Sequence, residues 1–245
     1  MRHTFTDNLM AAVFTLCIDA PESETPLLRA AAEEYFDYIR LLESLLSRFI
    51  EDSDIARINR MQKNETLVIA PETYRCLAAA EEAKRISGGY FDIAYRTPQT
   101  DFTLLTKPHR IYTSSGGLQL DLGGIGKGFA LDRAASVLQH YGCERALLCA
   151  STSTVLALQP PENAPGWAVS PPASLPLYLA GEAISCSGKS VKGEHIFNPK
   201  TQTYRTANEQ IWIREKTAAL ADALSTAALA KTEAGYAPAS LSAKK

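Results

Sequence analysis

Between Leu118 and Asp132 the chain reads LQLDLGGIGKGFALD, with four glycines in the six residues Gly123 to Gly128. This run constrains the fold more than any other feature. Leu118–Leu122 alternates apolar and polar, which predicts a strand. After the glycines, Ala130, Ala134, Val137, Leu138 and Tyr141 share one face of a helix that Gly142 stops. The chain must therefore turn from strand to helix through glycine. Such a turn lets backbone N–H groups approach a phosphate at a helix N-terminus, and Lys127 adds a mobile positive charge. Neither familiar phosphate-loop pattern is met. A Walker A loop needs Gly where Asp121 stands and Ser or Thr where Gly128 stands. The Rossmann fingerprint GxGxxG is replaced by GxGxG at Gly124, Gly126 and Gly128. A tight turn without a ligand satisfies the same glycines. Asp121 argues for a ligand, because a carboxylate beside a phosphate loop must meet something else: a hydroxyl, a base edge or a metal.

The rest of the chain reads as alternating strands and helices. Ala11–Asp19 is apolar and β-branched, a first strand. Thr25 can cap a helix with Pro26 at its first position. Leu28, Ala32, Tyr35, Ile39, Leu42, Leu46 and Phe49 recur in steps of four and three and form its buried face. Leu67–Ile69 reads as a short strand. Pro71 opens a helix over Glu72–Ile86, closed by Gly88 and Gly89. Arg110–Thr113 and Leu118–Leu122 flank SSGG, a hairpin signal. Ala146–Ala150, Thr154–Leu158, Ala183–Ser187, Glu194–Phe197 and Ile211–Ile213 read as further strands. The prolines between Gln159 and Gly181 allow loop and edge strand only. A last helix runs from Thr217 to Lys231, and the small, polar residues from 233 to 245 read as a disordered tail.

Composition excludes several functions. Lys and Arg total 25 against 27 Asp and Glu, so no basic field is offered to nucleic acid or an anionic membrane. No apolar run reaches the ~20 residues of a membrane span. The 5 cysteines are widely spaced with no CxxC pair, which argues for buried free thiols rather than a zinc site or disulfide framework. With no signal peptide in the chain, a cytoplasmic location is expected.

Two further constellations carry chemistry. In ADALSTAAL, Asp222, Ser225 and Thr226 stand at i, i+3 and i+4, on one helix face among Ala and Leu. Such a set can be oxygen ligands for a hard cation such as Mg²⁺, which takes few protein oxygens and keeps room for water and phosphate. A carboxylate near a helix start can equally serve the helix dipole. In SCSGKSVKGEHIFNPKTQ, His195 sits between candidate strands and a turn at Asn198-Pro199, where either a structural or a catalytic histidine fits.

Together these segments resemble the ApbE family, the FAD:protein FMN transferases. The resemblance lies in LDLGGIGKGFALDRAA, in GGYFDIA, in SRFIEDSDIARIN, in SG…HIFNPKT, in ADALST and, more loosely, in Met10-Ala11-Ala12. It spans Met10 to Leu229. It implies an α+β, ApbE-like (T-fold-like) mixed fold with antiparallel sheets and three main helices, in a single domain over residues 1–232. It also implies transfer of FMN from FAD to a Thr or Ser hydroxyl of a target flavoprotein, with release of AMP and a need for Mg²⁺. By the same resemblance Asp222 and Thr226 would hold the metal by side chain and Gly124 by its carbonyl. Lys127 and Asp121 would contact FAD. Met10, Phe49, Tyr90, Phe91 and Asp92 would line the flavin or adenine, and Ile196 would pack on it. His195 would be the general base and Lys127 a second catalytic group.

Three segments depart from the family pattern. Ser151-Thr152-Ser153 stands where the family has Gly-Gly-Asp or Gly-Gly-Asn. Asn198-Pro199-Lys200-Thr201-Gln202 replaces Asp-Pro-x-Thr-Gly, and Met10-Ala11-Ala12 replaces Met-Gly-Thr. These leave two alternatives to the transferase: a metal-dependent FAD pyrophosphatase, and a non-catalytic homologue that binds flavin or a protein partner.

Overall fold

The computed structural model describes residues 1–98, 101–170, 176–188, 196–205 and 210–231. In chain order the elements are β1 (Arg2–Leu9), β2 (Ala12–Asp19), α1 (Thr25–Leu46), α2 (Asp54–Ile58), β3 (Glu65–Val68), α3 (Pro71–Ile86), β4 (Thr103–Leu105), β5 (Arg110–Thr113), α4 (Gly126–His140), β6 (Ala146–Ala150), β7 (Thr154–Ala157), β8 (Trp167–Val169), β9 (Leu177–Leu179), β10 (Glu182–Gly188), β11 (Ile196–Asn198), β12 (Thr203–Arg205), β13 (Gln210–Glu215) and α5 (Ala218–Lys231). This is a mixed α+β chain with antiparallel strand pairs and, among the described residues, five α-helices. The four long ones, α1, α3, α4 and α5, are the four helices read from the sequence. The chain forms two compact units. The first comprises Met1–Leu41, Lys127–Ser185 and Ile213–Asp222; the second comprises Leu42–Gly126, Cys186–Trp212 and Ala223–Lys245.

The first unit is built on a sheet of order β1-β2-β6-β7-β10-β13. Phe14, Leu16 and Ile18 of β2 and Ala146, Leu148 and Ala150 of β6 supply its buried face. β1 is the strand that periodicity misses. Its residues alternate between exposed and half-buried, with only Leu9 buried, so it carries no apolar signature. It is held instead by a full ladder from Arg2↔Asp19 to Leu9↔Ala12. That register leaves Met10 and Ala11 as the hairpin turn, with φ of 51° and 56°, the left-handed pair usually given to Asn-Gly. Thr25 does not act as an N-cap acceptor. A 3-10 turn, Glu22–Glu24, precedes α1, and the Thr25 hydroxyl donates back to the Glu22 carbonyl at 2.6 Å.

In the second unit, β3, β5 and β4 form a three-stranded sheet and β11 and β12 a two-stranded one. The expected hairpin around SSGG is not formed. β5 pairs with β3 and β4, and residues 118–122 belong to no sheet. Their backbone groups find other partners. The Asn59 side chain donates to the Leu120 carbonyl at 3.0 Å and accepts from its N–H at 2.6 Å, while Asp121 N–H donates to the Ile93 carbonyl at 2.8 Å. Burial of Leu118 and Leu120 produces the alternation that mimics a strand.

Candidate functional site

Outside Asp222, Ser225 and Thr226, helix α5 is Ala and Leu up to its final Lys231. A carboxylate buried among them is costly unless donors surround it. Asp222 is 4% exposed, and the first unit supplies those donors. Its Oδ1 accepts from the hydroxyls of Ser185 at 3.2 Å and Thr154 at 3.4 Å, which are themselves 2.9 Å apart. Its Oδ2 accepts from Gly128 N–H at 3.2 Å and lies 3.9 Å from the Lys127 ammonium. The end of the glycine loop thus delivers a backbone N–H and a cation to one oxygen, and β7 and β10 deliver hydroxyls to the other.

Gly128 is the glycine this packing cannot replace. A Cβ there would stand 2.1 Å from the Ala218 carbonyl oxygen. One turn on, Asp132 accepts from Ala218 N–H and Ala219 N–H, each at 2.8 Å. Burial outweighs those two hydrogen bonds and pushes the Asp132 carboxyl up to about 6.

The second unit holds its own polar sets. Ser187 Oγ lies 2.8 Å from Ser225 Oγ and 3.2 Å from Thr226 Oγ1. Gly124 packs on the same hydroxyl: a Cβ would come within 3.1 Å of Thr226 Oγ1 and 3.2 Å of the Phe91 ring. The Asp121 carboxylate is ringed by donors. Oδ1 accepts from Gly123 N–H at 3.0 Å, Oδ2 accepts from the Tyr95 hydroxyl at 3.1 Å, and Arg48 and Arg96 each stand 3.5 Å from Oδ2. Partial burial and the Asp121 charge raise the Tyr95 phenol above its ordinary range. Tyr95 begins an aromatic row, 5.0 Å from Phe197, which is 5.1 Å from Tyr204.

The remaining expected residues fall as follows. Phe91 and Ile196 are buried. Phe49 does not join the buried face of α1 as its spacing predicts: the helix ends at Leu46, and Phe49 beyond it is 82% exposed, with the Arg48 guanidinium 4.6 Å from its ring centre. Asp92 pairs with Lys84 at 2.9 Å, and Tyr90 faces the ammonium groups of Lys200 and Lys231 at 6.0 and 5.6 Å. Met10 is in the β1–β2 turn of the first unit. His195 lies outside the described residues. Sequence reading missed Ser185, Ser187, Thr154, Arg48, Tyr95 and Arg96. Ser185 and Ser187 carried a faint signal, two hydroxyls on one face of an otherwise apolar strand; the others carried none.

Among the described residues no three His, Cys, Asp or Glu side chains gather as a metal cluster. Within the first unit the oxygens gathered are the buried Asp222 carboxylate and the hydroxyls of Thr154 and Ser185. That chemistry fits a hard cation that keeps much of its water and takes phosphate oxygens, and does not fit zinc. No helix is long and apolar enough to cross a membrane, among the described residues.

The model of the ApbE family matches residues 10–100 and 97–242. Two curated relatives are each named FAD:protein FMN transferase. One, from Buchnera aphidicola subsp. Schizaphis graminum (strain Sg), is 22% identical over 204 residues, 65% of this chain and 60% of the relative. The other, from Treponema pallidum (strain Nichols), is 27% identical over 168 residues, 55% of this chain and 46% of the relative. The chain therefore matches about half to three fifths of their lengths. Among solved structures, the ApbE protein of Thermotoga maritima superposes with a TM-score of 0.79 at 22% identity, covering 94% of this chain and 87% of that one. The flavin transferase ApbE of Vibrio cholerae gives 0.75 at 17% identity with the same coverages. These likenesses show the fold.

Proposed function

The chain belongs to the ApbE family, and from that premise we propose that it is a Mg²⁺-dependent FAD:protein FMN transferase. The observation that carries the reading is the seat of Asp222, a buried carboxylate held on the end of a glycine loop with Lys127 beside it. The names of the curated relatives support the same reaction. Asp222 and Thr226, four residues apart on α5, would hold the ion with the Gly124 carbonyl. When bound, the ion supplies positive charge against the pyrophosphate of FAD. Lys127 supplies a second positive charge on the same anion. Asp121, with its Tyr95, Arg48 and Arg96 partners, binds polar groups of the substrate, and Phe49, Tyr90, Phe91, Asp92, Met10 and Ile196 line its rings.

The hydroxyl oxygen of a Thr or Ser in a target flavoprotein attacks the phosphorus of the FMN half. The bond from that phosphorus to the bridging oxygen breaks, and AMP leaves with that oxygen. The hydroxyl proton passes to His195, the base that the family resemblance assigns. The location expected from the sequence is cytoplasmic.

The test incubates the protein with FAD, Mg²⁺ and an acceptor flavoprotein domain, and follows AMP release and an FMN adduct on the acceptor by mass spectrometry. The expected result is both products, lost in Asp222→Ala and on chelation. AMP without adduct refutes the transfer step and assigns a pyrophosphatase. FAD binding with neither product refutes catalysis.

A further inference from the structure

Helix α5 must present Asp222 to the glycine loop, yet its first turn is held by a residue that none of the functional roles above uses. The first N–H groups of any helix lack intrahelical acceptors. Thr217 satisfies part of this debt locally: its Oγ1 accepts from Leu220 N–H at 3.3 Å, and its carbonyl accepts from Ala221 N–H at 3.1 Å. The N–H groups of Ala218 and Ala219 turn instead to α4, where the two oxygens of Asp132 take one each at 2.8 Å. Asp132 lies one turn beyond Gly128, on the same face of α4. Gly128 in turn allows the Ala218 carbonyl to press against α4, since a Cβ would be 2.1 Å from it. Gly128 N–H then donates to Asp222, one turn further along α5. Two consecutive turns of α4 thus grip two consecutive turns of α5.

We propose that Asp132 is a positioning residue for Asp222, acting through the first turn of α5. Its two-pronged cap fixes both the height and the rotation of α5 on α4, so that Asp222 Oδ2 faces Gly128 N–H and the Lys127 ammonium. An amide cannot do this, because Asn has one acceptor and would point an N–H at an N–H. The inference rests on the reading that Asp222 binds the metal.

The experiment titrates the full-length chain with Mn²⁺ by electron paramagnetic resonance, well below the melting temperature of each variant. No substrate is present. The variants are Asp132→Asn, Thr217→Ala and Asp222→Ala. Thr217→Ala also removes a cap from α5 but leaves the link to α4. Asp132→Asn is expected to weaken Mn²⁺ binding by about tenfold or more, the usual cost of losing a group that orients a metal ligand. Thr217→Ala is expected to lower the melting temperature while leaving Mn²⁺ binding within about twofold of wild type. Equal affinity in Asp132→Asn and wild type overturns the inference, as does an equal weakening in Thr217→Ala, which would reduce Asp132 to a helix stabiliser. Wild-type affinity in Asp222→Ala, or no Mn²⁺ bound by the wild type, overturns the metal reading itself. If Asp132→Asn does not fold, Asp132→Glu keeps both acceptors on an arm one methylene longer. It is expected to bind Mn²⁺ more weakly, and wild-type affinity in that variant overturns the inference.

Discussion

Replacing Gly128 by alanine should cost this protein several kcal/mol, although the same change early in an ordinary helix is favourable by about 1 kcal/mol. The new Cβ would stand 2.1 Å from the Ala218 carbonyl oxygen, 2.5 Å from its carbon and 2.8 Å from Ala219 N. All three are backbone atoms, so no side chain can rotate away. Relief requires the start of α5 to withdraw by roughly 1 Å, and overpacking of this kind costs about 1–3 kcal/mol. Withdrawal also stretches the two Asp132 hydrogen bonds to Ala218 and Ala219, now at 2.8 Å. Bonds to a charged group contribute about 1.5–3 kcal/mol each, and losing about half of that pair adds roughly 2 kcal/mol. Subtracting the propensity gain leaves a net loss of about 2–4 kcal/mol. For a chain of this size that lowers the melting temperature by about 4–16 °C. Thermal melts followed by circular dichroism, with urea unfolding as a second measure, read this directly. A Gly128→Ala protein that melts at or above the wild-type temperature would refute the close approach of α4 to α5 and every step built on it.

Other substitutions test other parts of the fold. The Tyr35 hydroxyl is fully buried with no hydrogen-bond partner among the described residues, so Tyr35→Phe should be neutral or stabilising by about 1 kcal/mol; a loss beyond that in urea unfolding contradicts the packing of α1. Ser151 holds a left-handed φ of 53°, so Ser151→Gly should keep or raise stability by up to about 1 kcal/mol, and a clear loss shows that the turn does not need that conformation. The Asp132 carboxyl titrates near 6 when folded against 3.8 unfolded. The folded state therefore binds the proton more tightly, and its stability relative to the non-titrating Asp132→Asn should rise as pH falls from 7 toward 4, by at most about 3 kcal/mol. A difference between the two that stays flat across that window refutes the burial argument.

What the sequence reveals depends on whether a residue's role is set by neighbours in the chain. The buried face of α1 from Leu28 to Leu46, the Pro71 start of α3 and the Gly88-Gly89 stop all follow from local rules, and so does the shared face of Asp222, Ser225 and Thr226 on α5. Strand β1 does not, because an edge strand with little buried face has no apolar period to read. Leu118–Leu122 misleads for the opposite reason. It alternates as a strand does, but its hydrogen bonds go to the side chain of Asn59, some sixty residues earlier. The donors around Asp222 are equally remote: Thr154 and Ser185 are 68 and 37 residues away. A lone Thr or Ser in a strand says nothing of which carboxylate it will meet.

The surroundings of Asp222 also bear on why a carboxylate stands there at all. A buried charge costs several kcal/mol to desolvate, and well-packed apolar residues often replace such groups without loss. Helix α5 is otherwise built for that outcome, with Ala218, Ala219, Ala221, Ala223, Ala227, Leu229 and Ala230 all buried. The chain instead commits two fully buried hydroxyls, a backbone N–H and a nearby lysine to one acidic side chain. The donors make the cost bearable but do not explain it, since removing the carboxylate and its hydroxyl partners together would cost less still. Binding a ligand that needs an anionic oxygen does explain it. On this argument Asp222→Leu combined with Thr154→Val and Ser185→Ala should fold at least as stably as the wild type while binding no Mn²⁺. A triple variant that unfolds would show that the carboxylate serves the fold, and the case for a metal would lose its physical basis.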